Sequence, residues 1–241
     1  MATGSVGSRL RALLVVTVLA TVVGLIIPVI RPRALQAIST DFGQVLSLYV
    51  AANSLVQSAI VVLAVIAFLL VTNRSLSYID LQFPSLGDIG YAIGGLIAFF
   101  IANVAISTAY SSIGSDRAGS ETTAMLETLL TGGIAELVIV VLVALVLAPV
   151  IEELLYRNIV QKRLTESFSV TSAITIAGLL FAGVHVPAYS DFALGAAVWP
   201  FAGHFLAGVV FGAVYFKTQN ILTAILTHSG GNMLALGLVV L

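Results

Sequence analysis

Seven runs of about 20 mostly apolar residues decide what this chain can fold into, because each is long enough to cross a bilayer as a helix. They are roughly Leu10–Ile30, Val45–Thr72, Ile89–Ser111, Ile134–Leu155, Val170–Pro187, Ala193–Phe216 and Ile221–Leu241. Backbone groups in lipid must bond within a helix or a closed barrel. The runs lack the alternation of barrel strands. The sequence therefore predicts an all-α, polytopic membrane helix bundle of about seven to eight transmembrane helices. Gly230-Gly231 in the last run offers a place to kink or break. Composition agrees: 59% of the residues are hydrophobic and 9% charged, against about 25% charged in soluble domains. A net charge of −1 without a basic patch argues against nucleic-acid binding. The absence of cysteine removes disulfides and thiolate metal sites.

The N-terminus is polar, with Arg9 and Arg11, and then runs apolar from Ala12 to Ile30, a stretch longer than a signal-peptide core and with no small-x-small cleavage site after it. It reads as a first span rather than a removed leader. Pro28 and Pro32 close that span, Pro84 and Gly87 interrupt the chain after the second, and Ser111 to Thr123 reads as the longest exposed loop. Arg9, Arg11, Arg74, Lys162, Arg163 and Lys217 fall on one side of this arrangement, and Arg31, Arg33 and Arg117 on the other. The bias predicts a cytoplasmic N-terminus in the cell membrane and, for an odd span count, an external C-terminus.

Ionised side chains inside lipid are costly and usually belong to a site. Three polar clusters interrupt the apolar runs of the last three-fifths of the chain: Glu152, Glu153 and Arg157; Phe181-Ala-Gly-Val-His185; and His228-Ser-Gly-Gly-Asn232. Glu153 and Arg157 are four apart and share a helix face, so they can pair. Glu152 points about 100° away and is left free to face a cavity. A carboxylate in a dry pocket suits a general base. His185 and His228 can accept a proton, orient water or bind a metal. Asn232 lies one turn after His228, and an amide N–H beside an imidazole N–H can stabilise an oxyanion. Gly230 and Gly231 let another element come close. The clusters meet near the bilayer middle only if the helix bearing Glu152 runs on past Arg157 towards Leu164. Glu152 then lies about 18 Å and His228 about 13 Å from their helix ends.

Taken together, Glu152-Glu153-Leu-Leu-Tyr-Arg157, Phe181-Ala-Gly-Val-His185 and His228-Ser-Gly-Gly-Asn232 resemble the ordered E-E-x-x-x-R, F-x-x-x-H and H-x-x-x-N/D motifs of the CPBP family. These are intramembrane proteases that include type II CAAX prenyl endopeptidases and abortive infection proteins. The glycine-rich stretch Phe205 to Tyr215 also fits the family. The likeness covers roughly residues 130 to 240. It divides the chain into residues 1–125, three accessory spans, and residues 126–241, a CPBP-like catalytic bundle. The resemblance implies an endopeptidase acting on a membrane-associated or lipidated protein or peptide. Glu152 would activate water with His185, His228 and Asn232 would hold the oxyanion, Glu153 would complete the site, and Arg157 and Phe181 would shape it. Metal use stays open: Glu152, His185 and His228 match one catalytic zinc ligand set, and they equally suit a metal-free glutamate–histidine pair.

Two other functions suit intramembrane carboxylates and imidazoles: a non-enzymatic membrane scaffold or immunity protein that keeps the protease fold, and a proton-coupled transporter. The transporter lacks paired broken helices in two halves. Among the remaining polar residues, His204 starts the sixth span near Trp199 and reads as an interfacial residue outside the site. Glu136 reads as a helix-start residue, Asn53 and Gln57 as polar glue between helices, and Asp191 and Glu166 as ordinary loop acids.

Overall fold

The computed structural model describes residues 5–8, 10–16, 19, 46–112, 133–186 and 194–240, and every regular element among them is helical. Residues 10–16 are helical; the rest of the first expected span, apart from Leu19, lies outside the described residues, as do most of the loop expected at Ser111 to Thr123, Asp191 and the side chains of Glu136 and Asn53. The long elements are α1 (Leu46–Val71), α2 (Leu86–Ser112), a continuous helical run α3 from Ile134 to Thr165, α4 (Val170–His185), α5 (Leu194–Thr218) and α6 (Ile221–Val240). Four stretches, Ser54–Val71, Leu86–Ser112, Leu137–Thr165 and Ala197–Thr218, are long and apolar enough to cross a membrane, while α4 and α6 supply shorter apolar helices. The described residues thus account for four crossings of the expected seven to eight. Outward-facing side chains such as Leu63, Leu70, Ile97 and Phe100 are apolar and exposed, as lipid-facing residues would be.

Local chemistry sets the ends. The α1 helix closes at Asn73, whose φ of 53° turns the chain while the Arg74 N–H bonds back to the Leu69 carbonyl. The α2 helix starts one turn before the expected Ile89, because Ser85 and Asp88 form a reciprocal cap: the Ser85 N–H donates to Asp88 (2.8 Å) and the Asp88 N–H to Ser85 Oγ (3.2 Å). Ser169 caps α4 by accepting the Ser172 N–H. The α6 helix follows Asn220, whose Oδ1 accepts from the Leu222 N–H, and it runs through Gly230-Gly231 as continuous helix. Those glycines admit side chains rather than mark a break. A Cβ on Gly230 would strike Leu96, and one on Gly231 would press on Phe99 and Phe211.

The α4 and α5 helices pack closely on each other, α5 also lies against α2 and α6, and α3 contacts α1, α4 and α6. The two backbones come close at Gly178 and Gly208: a Cβ on Gly208 would sit 2.9 Å from the Gly178 Cα. Small residues at such a crossing are what let membrane helices touch.

A polar clasp ties the segment between α1 and α2 to the end of α3. Lys162 Nζ donates to the Tyr78 carbonyl (2.7 Å) and to Asp80 (2.6 Å). Asn158 donates to the Tyr78 carbonyl and accepts the Asp80 N–H, and the Tyr215 hydroxyl donates to Asp80. Glu166, expected to be an ordinary loop acid, accepts from Arg74, Arg163 and Tyr78. Burial, and next the Glu166 charge, push the Tyr78 phenol above its ordinary pKa, so it stays a donor.

Candidate active site

The helix that carries both glutamates is not a uniform α-helix. Val143–Leu147 and Leu154–Gln161 have π-helical bonding, with the α-helical turn Ala148–Glu153 between them. Such wide turns are rare and concentrate at functional sites. Within the first, the Ala144 carbonyl accepts the side-chain amide of Asn232 of α6 at 2.9 Å. The second is buried at Leu155, Tyr156, Arg157, Asn158, Ile159, Val160 and Gln161. As the depth argument requires, the helix continues past Arg157 to Thr165.

Glu153 and Arg157 form the expected pair four residues apart. Arg157 Nε donates to Glu153 Oε2 at 2.8 Å, and both side chains are fully buried. The pair survives the change of helical pitch because the long guanidinium reaches back over one turn. Arg157 also lies over the rings of Phe181 (5.0 Å) and Phe211 (5.9 Å). Glu153 has a second partner that the spacing did not reveal: His228 Nδ1 lies 2.9 Å from its Oε1. A carboxylate accepts, so Nδ1 carries the hydrogen, and Nε2 faces the other way, 3.9 Å from Glu152 Oε2. Glu152 keeps 15% of its side-chain surface open, whereas Glu153 keeps none. One acid is committed to structure and the other stands at the edge of the cluster.

Phe181 is the hub of the remaining groups. Its ring centroid lies 4.9 Å from His185, 6.2 Å from His204 and 5.9 Å from His228, so all three histidines of the chain surround one phenyl ring. His185 Nδ1 bonds to the Phe181 carbonyl at 2.7 Å. His228 stacks on Phe211 at 4.6 Å, and Tyr156 meets the Phe181 edge at 5.4 Å. The structure therefore joins Glu152, Glu153, Arg157 and His228 directly, brings Phe181 and His185 against them, and anchors Asn232 one helical turn away on Ala144.

Two residues of this neighbourhood were not anticipated. His204, read from sequence as interfacial, stacks on His185 at 4.1 Å. Its closeness to Trp199 disguised it; the signal available was that α5 must lie antiparallel to α4, with Gly208 as the contact point. Tyr156 sits between the motif letters of E-E-x-x-x-R, and its buried hydroxyl has no hydrogen-bond partner among the described residues, as is true of Arg157 Nη1. Buried donors of this kind invite water or a ligand.

The zinc set raised by the sequence does not fit this arrangement. No three histidine, aspartate or glutamate groups converge to hold a metal among the described residues, although the Nδ1 bonds of His228 and His185 leave both Nε2 atoms unoccupied by them.

Residues 134–234, which contain every group of this cluster, match the family model described as type II CAAX prenyl endopeptidase Rce1-like. This segment is similar to that family. The match bears out the CPBP resemblance over these residues, and the family is one of proteases. Together with its apolar helices it marks the chain as a membrane protein. No curated protein and no solved structure matches the chain. The Rce1-like segment spans α3 to α6, and Phe99 of α2 stacks on its Phe211 at 5.8 Å, so the preceding helices pack into the same core.

Proposed function

We propose that the chain is an intramembrane endopeptidase that hydrolyses a peptide bond of a membrane-associated or lipidated substrate. The observation that carries the reading is the path from Glu153 through His228 to Glu152: a fully buried acid fixes one face of an imidazole, and the opposite nitrogen faces a second, partly open acid. Glu152 takes a proton from water, with the accepting Nε2 of His185 helping to orient that water. The water oxygen bonds to the substrate carbonyl carbon. The second amide hydrogen of Asn232, with the Nε2–H of a doubly protonated His228 whose Nδ1–H stays on Glu153, holds the oxygen as it becomes anionic. Collapse breaks the carbon–nitrogen bond, and the proton held by Glu152 passes to the leaving amine. Glu153 and Arg157 keep His228 in register, and Phe181 and Phe211 exclude further water. Residues 1–125 play an accessory role to the catalytic segment 126–241.

The family description favours a substrate with a lipidated C-terminal peptide. The test is digestion of prenylated and unprenylated peptides by the purified full chain in liposomes, with the cut mapped by mass spectrometry. A defined cut in the prenylated peptide, lost in His228→Ala, is the expected result; no cut in either peptide overturns the proposal.

The rival is a membrane scaffold that keeps the protease fold, and the Asn232 bond to Ala144 suits it as plain interhelical adhesion. A scaffold would tolerate Glu152→Gln in cells and fail when packing is disturbed, for example at Gly212, where a Cβ would meet Gln161 Oε1 at 2.5 Å.

A further inference from the structure

His204 has no place in the three motifs, yet its ring lies closer to His185 than any other ring pair in the site: 4.1 Å between centroids and 27° between planes. The two imidazoles are held in the same way. His204 Nδ1 bonds to the Pro200 carbonyl at 2.8 Å, four residues back on α5. His185 Nδ1 bonds to the Phe181 carbonyl at 2.7 Å, four residues back on α4. A carbonyl only accepts, so each ring carries its hydrogen on Nδ1 and offers Nε2 as an acceptor, pointing away from its own helix backbone. This is the less common tautomer of a free imidazole, and two rings share it side by side. Phe181 closes the group, with its ring 4.9 Å from His185 and 6.2 Å from His204.

His185 needs such support. It is the last residue of α4, and its ring meets the His204 ring of the neighbouring helix. The α5 helix supplies that neighbour, and the Gly178–Gly208 approach brings α5 near enough to do so. His204 is also within electrostatic reach of Glu152.

We propose that His204 is a positioning residue for His185: the parallel stack fixes the His185 ring so that its Nε2, and not its Nδ1, is presented to the reacting water. This rests on the endopeptidase reading for its consequence, but the geometry it asserts can be observed without any substrate. Three histidines in the chain make the imidazole nitrogens resolvable. Histidine-labelled full-length protein in liposomes is examined by nitrogen NMR, as parent, His204→Leu and His204→Phe, and the same preparations are assayed on the cleaved peptide.

The expected spectrum of the parent shows Nδ1–H with bare Nε2 for both His185 and His204. His204→Leu, which fills the space without a flat ring, scatters the His185 signals and lowers kcat on the order of 10- to 100-fold with KM little changed. His204→Phe restores a flat ring, the His185 signals and most of kcat. An Nε2–H tautomer at His185, or His185 signals that ignore His204→Leu, overturns the proposal whether or not the protein cleaves anything. If His204→Phe keeps parental His185 signals but loses activity, His204 acts on the reactants directly and positioning is wrong. Failure of every form to cut a peptide, with the spectra as expected, counts against the endopeptidase reading and leaves the ring geometry standing.

Discussion

Ionised side chains gather in two regions of α3, and the regions treat their charges differently. At the Lys162 end, Arg74, Arg163 and Glu166, and Lys162 with Asp80, keep between 16% and 33% of their side chains open. Mid-helix, Glu153 and Arg157 keep none. Exposed pairs are hydrated whether or not they meet, so they contribute about 0–1 kcal/mol each. A buried pair has given up its water, and removing one partner strands the other. The ion pairs of the clasp are therefore replaceable trim on a helix end. The dry cluster is tolerable only while every charge has its partner, and its cost is explained if the arrangement serves chemistry.

The contrast can be broken most forcefully at Arg157. Arg157→Ala leaves Glu153 buried without its cation and should cost about 3–5 kcal/mol, read as a loss of thermal stability in detergent. The double change Glu153→Gln with Arg157→Met should recover much of it; a single change as mild as one at the clasp would show that the pair is wetter than its burial indicates. Next comes the crossing that brings α4 to α5. Gly208→Val drives a side chain against the Gly178 backbone and should cost about 1–3 kcal/mol. Gly90→Ala, where nothing lies within 4 Å of the new carbon, should be tolerated or mildly stabilising, and equal damage at both would mean that the contact with Gly178 is not what decides. The smallest effect belongs to Glu166→Gln: a loss below about 1 kcal/mol that shrinks further as salt rises, measured by the same unfolding assay at two salt concentrations.

Much of the dry cluster was legible in the sequence because each of its members interrupts an apolar run, where a polar residue is conspicuous. Glu152, Glu153, Arg157, His185 and His228 were all found that way, and the required continuation of α3 past Arg157 is present. His204 escaped because it lies near a tryptophan at the start of a span, where interfacial residues also collect; only the register of α5 against α4 distinguishes the two cases. The second bond of Glu153, to His228, escaped because spacing along one helix says nothing of what another helix brings. The π-helical turns were invisible to a reading that assumed one pitch throughout. The clasp was missed for the opposite reason: Lys162, Asp80 and Glu166 sit in ordinary polar sequence, and only tertiary pairing singles them out.

The most direct measurement compares one acid from each region in a single assay. Parent, Glu152→Gln and Glu166→Gln proteins are matched for folding in liposomes and given the same lipidated peptide. Glu166→Gln should cut at the parental rate, while Glu152→Gln should fall by about 10²–10⁴-fold, the range for loss of a general base. Parental cleavage by folded Glu152→Gln would contradict the account, as would equal losses in both variants.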